Sequence, residues 1–122
     1  MRVLGISVYP DIRPMDEICC YLALAAKHGF TRVFSSMFSV EGSNEEVLTC
    51  FRTLNAAAHE YGMRVSLDIN PECMTRFGAT PQDLSTFAWI EADILRMDGA
   101  YGEDDNVAML QNAYGMHIEY NA

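Results

Sequence analysis

The sequence is poor in basic residues. Eight Lys and Arg stand against 17 Asp and Glu, giving a formal net charge of −9 at pH 7. Lys27 is the one lysine, and no two arginines adjoin. A nucleic-acid groove needs clustered cations to displace counterions from phosphates, so nucleic acid is set aside as a partner. The deficit is uneven: residues 1–61 carry a balance of −2 and residues 62–122 one of −7.

Long apolar runs are missing too. The opening run stops at Tyr9-Pro10, too short for a secretory leader's apolar region and far too short for a membrane span. Cys19, Cys20, Cys50 and Cys73 form no CxxC pair and no Cys/His ligand spacing. They read as buried or half-buried free thiols of a reducing, cytoplasmic setting. His28, His59 and His117 also lack ligand spacing, so no metal is expected. Glu103-Asp104-Asp105 is not a twelve-residue calcium loop. No Gly-rich dinucleotide loop and no P-loop occurs, and no cofactor is expected. No Gly/Ser- or Pro-rich linker divides the chain.

What is present is an apolar pattern whose period keeps switching. Half of the 122 residues are hydrophobic, which suits a packed domain. Residues 2–9 read as a buried strand. Residues 14–28 read as a helix, with Ile18, Leu22 and Ala25 on one face, Pro14 in its first turn and Gly29 past its end. A second strand is expected at residues 31–38. Ser43-Asn44-Glu45-Glu46 is a capping box that opens a helix carrying Val47, Leu48, Phe51, Leu54, Ala58 and Tyr61 and ending at Gly62. Val65, Leu67 and Ile69 alternate with Ser66, Asp68 and Asn70 in a third strand, residues 64–69. Thr80-Pro81-Gln82-Asp83 reads as another helix start, followed by Leu84, Phe87, Ala88 and Ile90. Residues 94–98 form a fourth strand, 104–113 a weaker helix, and 117–121 a last strand.

Five strands thus alternate with four helices, which implies an α/β fold with a parallel sheet and flanking helices. The pattern fits either a doubly wound open sheet or the opening part of a (β/α)8 barrel. In both, ligands meet the C-terminal ends of the strands. The polar residues there are Ser7 and Tyr9 on the first strand, Ser35, Ser36 and Ser39 on the second, and Asp68 and Asn70 on the third. Arg96 and Asp98 follow on the fourth, then His117, Glu119 and Asn121 on the fifth. Alternation puts Arg96 with Asp98, and His117 with Glu119 and Asn121, on common faces. Such groups are costly to enclose unless paired or used. The plainer alternative is a structural network, with Arg96 bracing Asp98 or Glu119 inside a barrel.

Several segments, in order, resemble a known family. They are LGISVYP at 4–10, LAAKHGFTRVF at 24–34, Ser39-Val40-Glu41-Gly42, SLDINP at 66–71, ILRMDG at 94–99 and NAYGMHIEYNA at 112–122. Together they resemble the N-terminal domain of the 6-phospho-N-acetylmuramidase family. Two loop edges depart from it: Asn112-Ala113-Tyr114-Gly115 where the family tends to have Asn-Pro-Tyr-Gly, and Asn70-Pro71 where it tends to have Ser-Pro.

The resemblance implies a TIM-like (β/α)8 barrel followed by a smaller cyclophilin-like domain. It also implies a cytosolic glycosidase of cell-wall recycling that splits 6-phospho-N-acetylmuramic acid from N-acetylglucosamine. On that reading residues 1–122 are the barrel's N-terminal portion, through its fifth strand, with strands six to eight and the second domain absent. Glycosidases use two carboxyl groups. The candidates are Asp98 and Glu119, with Asp68, Asn70, Arg96, Asn121, Ser7 and Tyr9 as sugar-binding partners. The expected partner is the phosphorylated amino-sugar disaccharide, with neither nucleic acid nor membrane. An unclosed barrel is also expected to expose an apolar interior, to self-associate through its edges, and to be inactive alone. The rivals are a non-catalytic fragment or scaffold, and another sugar-phosphate barrel enzyme. A Schiff-base aldolase is disfavoured because Lys27 lies near a helix end.

Overall fold

A computed structural model describes residues 4–10, 14–38, 40–99 and 101–120. The order is β1 (Gly5–Ser7), α1 (Met15–Lys27), β2 (Arg32–Ser36), α2 (Asn44–Glu60), β3 (Arg64–Ile69), α3 (Pro71–Arg76), α4 (Ser85–Trp89), β4 (Ile94–Met97), α5 (Glu103–Leu110) and β5 (His117–Tyr120). The strands form one sheet in the order β1-β2-β3-β4-β5, all neighbours parallel.

That order decides between the two architectures. Right-handed crossovers between consecutive neighbours put every helix on the same side of the sheet. A doubly wound sheet needs a reversal of strand order, and none occurs among the described residues. The arrangement is that of the opening strands of a TIM-like barrel.

Alternation then sorts the side chains. Val33, Met37, Val65, Leu67, Ile69, Leu95 and Met97 are buried on the helix side. They meet Ile18, Leu22 and Ala25 of α1 and Val47, Phe51, Leu54 and Ala58 of α2 in one core. The α2 cap forms as its sequence implies: Ser43 Oγ accepts from the Glu46 N–H at 3.2 Å. The opposite face of the sheet is not the apolar lining expected of an opened barrel. Its register rows run Ser7–Phe34–Ser66–Ile94–His117 and Ser36–Asp68–Arg96–Glu119. This face is largely polar.

Three expectations need correction. Thr80-Pro81-Gln82-Asp83 does not start a helix. It is a turn closed by reciprocal backbone bonds of 3.1 and 3.0 Å between Thr80 and Asp83. Pro at the second position of a tight turn satisfies the same preference as Pro in a first helical turn. The helix, α4, begins later and is one short element. A fifth helix, α3, follows β3 directly, with Asn70 as its cap and Pro71 in its first turn. Cys20 is exposed, while Cys19 and Cys50 are half-buried and Cys73 is buried; none of the four is in a disulfide among the described residues. No helix among the described residues is long and apolar enough to cross a membrane.

One polar knot ties the helices to the sheet at the strands' N-terminal ends. Asp93 Oδ2 accepts from the Val65 N–H at 2.7 Å and from His59 Nε2 at 2.6 Å. It joins α2 to the starts of β3 and β4. Nearby, the buried Asn55 donates to the Ile90 carbonyl at 2.7 Å. Asp93→Ala removes the acceptor from two donors at once. We expect a loss of about 1.5–3 kcal/mol, the scale for hydrogen bonds to a charged group. It should appear as a lower urea midpoint at unchanged slope; an unchanged midpoint would refute the knot's role.

The sheet's outer strands, β1 and β5, each have one neighbour among the described residues. Exposed apolar side chains border them: Leu4 and Tyr9 beside β1, and Tyr120 on β5 with Leu110 of α5. Unpaired edges of this kind template pairing with another chain. The expected behaviour is concentration-dependent association in sedimentation velocity. A monomer at every concentration, with a sharp cooperative melt, would contradict it.

Candidate functional site

The site is built on the polar face at the C-terminal ends of β2 to β5. Its base is a ring. A Cβ at Gly5 would collide with the Phe34 side chain, so glycine at this position lets the ring lie across β1. The guanidinium carbons of Arg32 and Arg96 lie 5.9 and 5.8 Å from the ring centroid. Cations over an aromatic face are attracted by its quadrupole. Phe34 thus helps to hold Arg96, which rises from β4.

Above the ring runs the row Ser36–Asp68–Arg96–Glu119. Arg96 stands between a carboxyl on β3 and another on β5. Its Nη1 is 3.7 Å from Asp68 Oδ1, and both side chains are about 30 % exposed (30 % and 29 %). Burial pushes the Asp68 carboxyl above its usual value; Arg96 pulls the other way, and the Asp98 charge adds to the rise. Asp68 Oδ1 is buried and has no hydrogen-bond partner among the described residues.

Asp98 follows β4. Its N–H donates to the Ile69 carbonyl at 2.7 Å, so the ladder continues one step beyond the strand. Asp98 is two residues past Arg96, on the same face, and therefore diagonal to both Asp68 and Glu119. With strands about 4.8 Å apart and a rise of about 3.3 Å per residue, the backbones of such neighbours are roughly 8 Å apart. Asp98 also lines an open groove with Phe38, Asn70, Pro71, Glu72 and Gly99.

The expected residues are thus partly brought together. Asp68, Arg96, Asp98 and Glu119 share one face and adjoin. Ser7 is exposed on that face, one register step below the acid row. Tyr9 lies just beyond β1 and is 41 % exposed. Asn70 reaches the groove, but its Oδ1 accepts from the Cys73 N–H at 2.7 Å and so caps α3. Asn121 and Ser39 lie outside the described residues. Ser36 Oγ accepts from the Phe38 N–H, and Ser35 is buried on the helix side. Among the described residues no group of three His, Cys, Asp or Glu is placed to hold a metal ion.

Sequence reasoning missed a latch beside the site. Arg76 of α3 donates to the Val40 carbonyl at 2.7 Å, the Gly42 carbonyl at 3.0 Å and Asn44 Oδ1 at 3.0 Å. Asn44 returns a bond to the Arg76 carbonyl at 2.7 Å. The loop after β2 is thereby tied to the helix after β3. The partners lie 32 to 36 residues apart, and no local pattern announces them.

The Asp68 environment has a thermodynamic consequence. A carboxyl raised in the folded state binds its proton more tightly there than in the unfolded chain. Its contribution to stability is complete below the ordinary aspartate value of 3.8 and is lost as pH rises through the folded value. Asp68→Asn removes that loss. The variant should melt above the parent at pH 7, with the gap closing near pH 3.5. A parent that melts higher at pH 7 would reverse the assignment of burial over Arg96 as the stronger influence.

Comparison with known proteins agrees with this architecture. An uncharacterized B. cereus protein of solved structure is 33% identical and superposes with a TM-score of 0.78; the match covers 98% of this chain and 30% of that one. A conserved Enterococcus faecalis protein of unknown function is 21% identical, with a TM-score of 0.75 over 96% of this chain and 31% of that one. A Bacillus halodurans protein, provisionally named an alpha-N-acetylgalactosaminidase, shares the fold at 11% identity and a TM-score of 0.63, over 99% of this chain and 49% of that one. The chain therefore spans less than a third of the first two relatives. A search of curated proteins found no match. The family described as "6-phospho-N-acetylmuramidase, N-terminal" matches residues 4–122, and the chain belongs to it.

Proposed function

We propose that this chain supplies the N-terminal part of a glycoside hydrolase barrel acting on the bond between 6-phospho-N-acetylmuramic acid and N-acetylglucosamine, in peptidoglycan recycling. The observation that carries the reading is the row of Asp68, Arg96 and Glu119, with Asp98 beside it, at the ligand-facing ends of β3 to β5 in a chain of this family. The setting is the cytoplasm, where sugar phosphates are made and used. The chemistry calls for carboxyl groups and water, with no cofactor.

In such a hydrolysis one carboxyl group protonates the leaving oxygen, and another activates water or attacks the sugar. Asp98 and Glu119 are diagonal neighbours on the open face, an arrangement that suits a flanking pair. Arg96 and Asp68 line the same surface and offer polar contacts to sugar hydroxyls. Asn70 would border the sugar from the end of β3, and Ser7 and Tyr9 from β1; Asn121 is proposed as a sugar partner from the sequence alone.

The test measures release of N-acetylglucosamine from the phosphorylated disaccharide. It uses the chain itself and the chain grafted in place of the matching segment of the B. cereus protein. We expect at least one form to turn over. In that form Asp98→Asn or Glu119→Gln should cost on the order of 10²-fold or more in rate, the scale of acid–base catalysis. No release from either form would sink the proposal. Near-normal turnover in both variants would remove Asp98 and Glu119 from the chemistry.

A further inference from the structure

The three carboxyl groups around Arg96 are not equivalent. Glu119 sits at the last described strand, with Arg96 as its cross-strand neighbour. Asp98 follows the end of β4 and lines an open groove. Asp68 alone lies on an interior strand, flanked by Ser36 on β2 and Arg96 on β4. Ser36 Oγ accepts from the Phe38 N–H, and Asp68 Oδ1 has no hydrogen-bond partner among the described residues. The Arg96 nitrogen at 3.7 Å is too distant for a hydrogen bond.

A sheltered carboxylate oxygen with no donor is expensive. A proton on the group removes the charge and most of that cost. Asp68 Oδ1 has this character, yet the side chain as a whole is 29 % exposed. The carboxyl is dry on one side and reachable on the other. A proton donor that must also meet a ligand needs both properties.

We infer that Asp68 is the proton-donating catalytic residue of the site, and that Asp98 and Glu119 work as its ionised partners. The inference rests on the glycosidase reading above and moves the acid within it, from the Asp98–Glu119 pair to Asp68. As the bond between C1 and the leaving oxygen breaks, its electron pair passes to that oxygen, which takes the proton from Asp68. Water adds its hydroxyl to C1 and gives its remaining proton to one of the ionised carboxylates. Proton return from that group to Asp68 through solvent completes the cycle. Arg96 keeps a second negative charge tolerable close by.

Two measurements test the assignment. Carboxyl ¹³C NMR on the full chain, with Asp68→Asn identifying the signal, should show Asp68 titrating above the ordinary aspartate value. Asp98→Asn should lower that midpoint, because it removes a like charge. A midpoint at or below the ordinary value overturns the inference. The second measurement uses whichever form turns over the disaccharide. Asp68→Asn should lose on the order of 10²-fold or more on that substrate. It should keep the parent rate on a dinitrophenyl glycoside of the same sugar, whose leaving group needs no proton. Equal loss on both substrates assigns Asp68 a structural role and overturns the inference. Retention of both rates overturns it as well. If the parent forms release no sugar, the glycosidase reading falls, and this assignment falls with it.

Discussion

One-sided coverage of the sheet is the constraint from which the rest of the structure follows. Consecutive parallel strands joined by crossovers of one hand send every helix to the same side. The apolar half of each strand's alternation is then used up by α1 and α2, and the other half forms the opposite face, where Ser66 and Ile94 are buried as well. In its two register rows only Phe34 and Ile94 are apolar. It carries Ser36, Asp68, Arg96 and Glu119 in a single row. The same geometry that builds the core therefore sets a charged surface at the strand ends without an extra element.

That surface is held by few parts. Phe34 is the support: Gly5 makes room for it, and Arg32 and Arg96 lean on it. Arg96 is the counter-charge among three acids. At Asp68 burial outweighs Arg96, and its Oδ1 is enclosed with no hydrogen-bond partner among the described residues. At the opposite end of the strands Asp93 takes the contrasting role. It receives two short hydrogen bonds and serves as a plain structural acceptor. The two aspartates differ in surroundings, not in chemistry.

Much of this was legible in the sequence, for stated reasons. Period-two alternation gave β3 its bounds, Arg64–Ile69, and placed Asp68 opposite the core. Three-and-four spacing picked out Ile18, Leu22 and Ala25 as the buried face of α1. Strand-end position brought Arg96, Asp98 and Glu119 together. Other features were out of reach. The six residues of α3 are too few to show a period, and Asn70 looked like a strand end because it is one as well as a cap. Pro81 carries the same signal in a turn as in a first helical turn. Asp68 stands out among the acids only because of what neighbouring strands put beside it. The Arg76 partners are remote in sequence, so their union is a property of the fold alone.

The Arg76 latch also bears on how the rim of the site moves. Two carbonyls from the loop after β2 and Oδ1 of Asn44, the first residue of α2, converge on one planar guanidinium, and Asn44 closes the circuit back to α3. A fork of this shape resists sliding as well as separation. Parting the two segments therefore means breaking these four hydrogen bonds. A displacement imposed on Pro71 or Glu72, at the groove, pulls on Val40 and Gly42 through Arg76. On this side the rim of the site is braced through a single side chain.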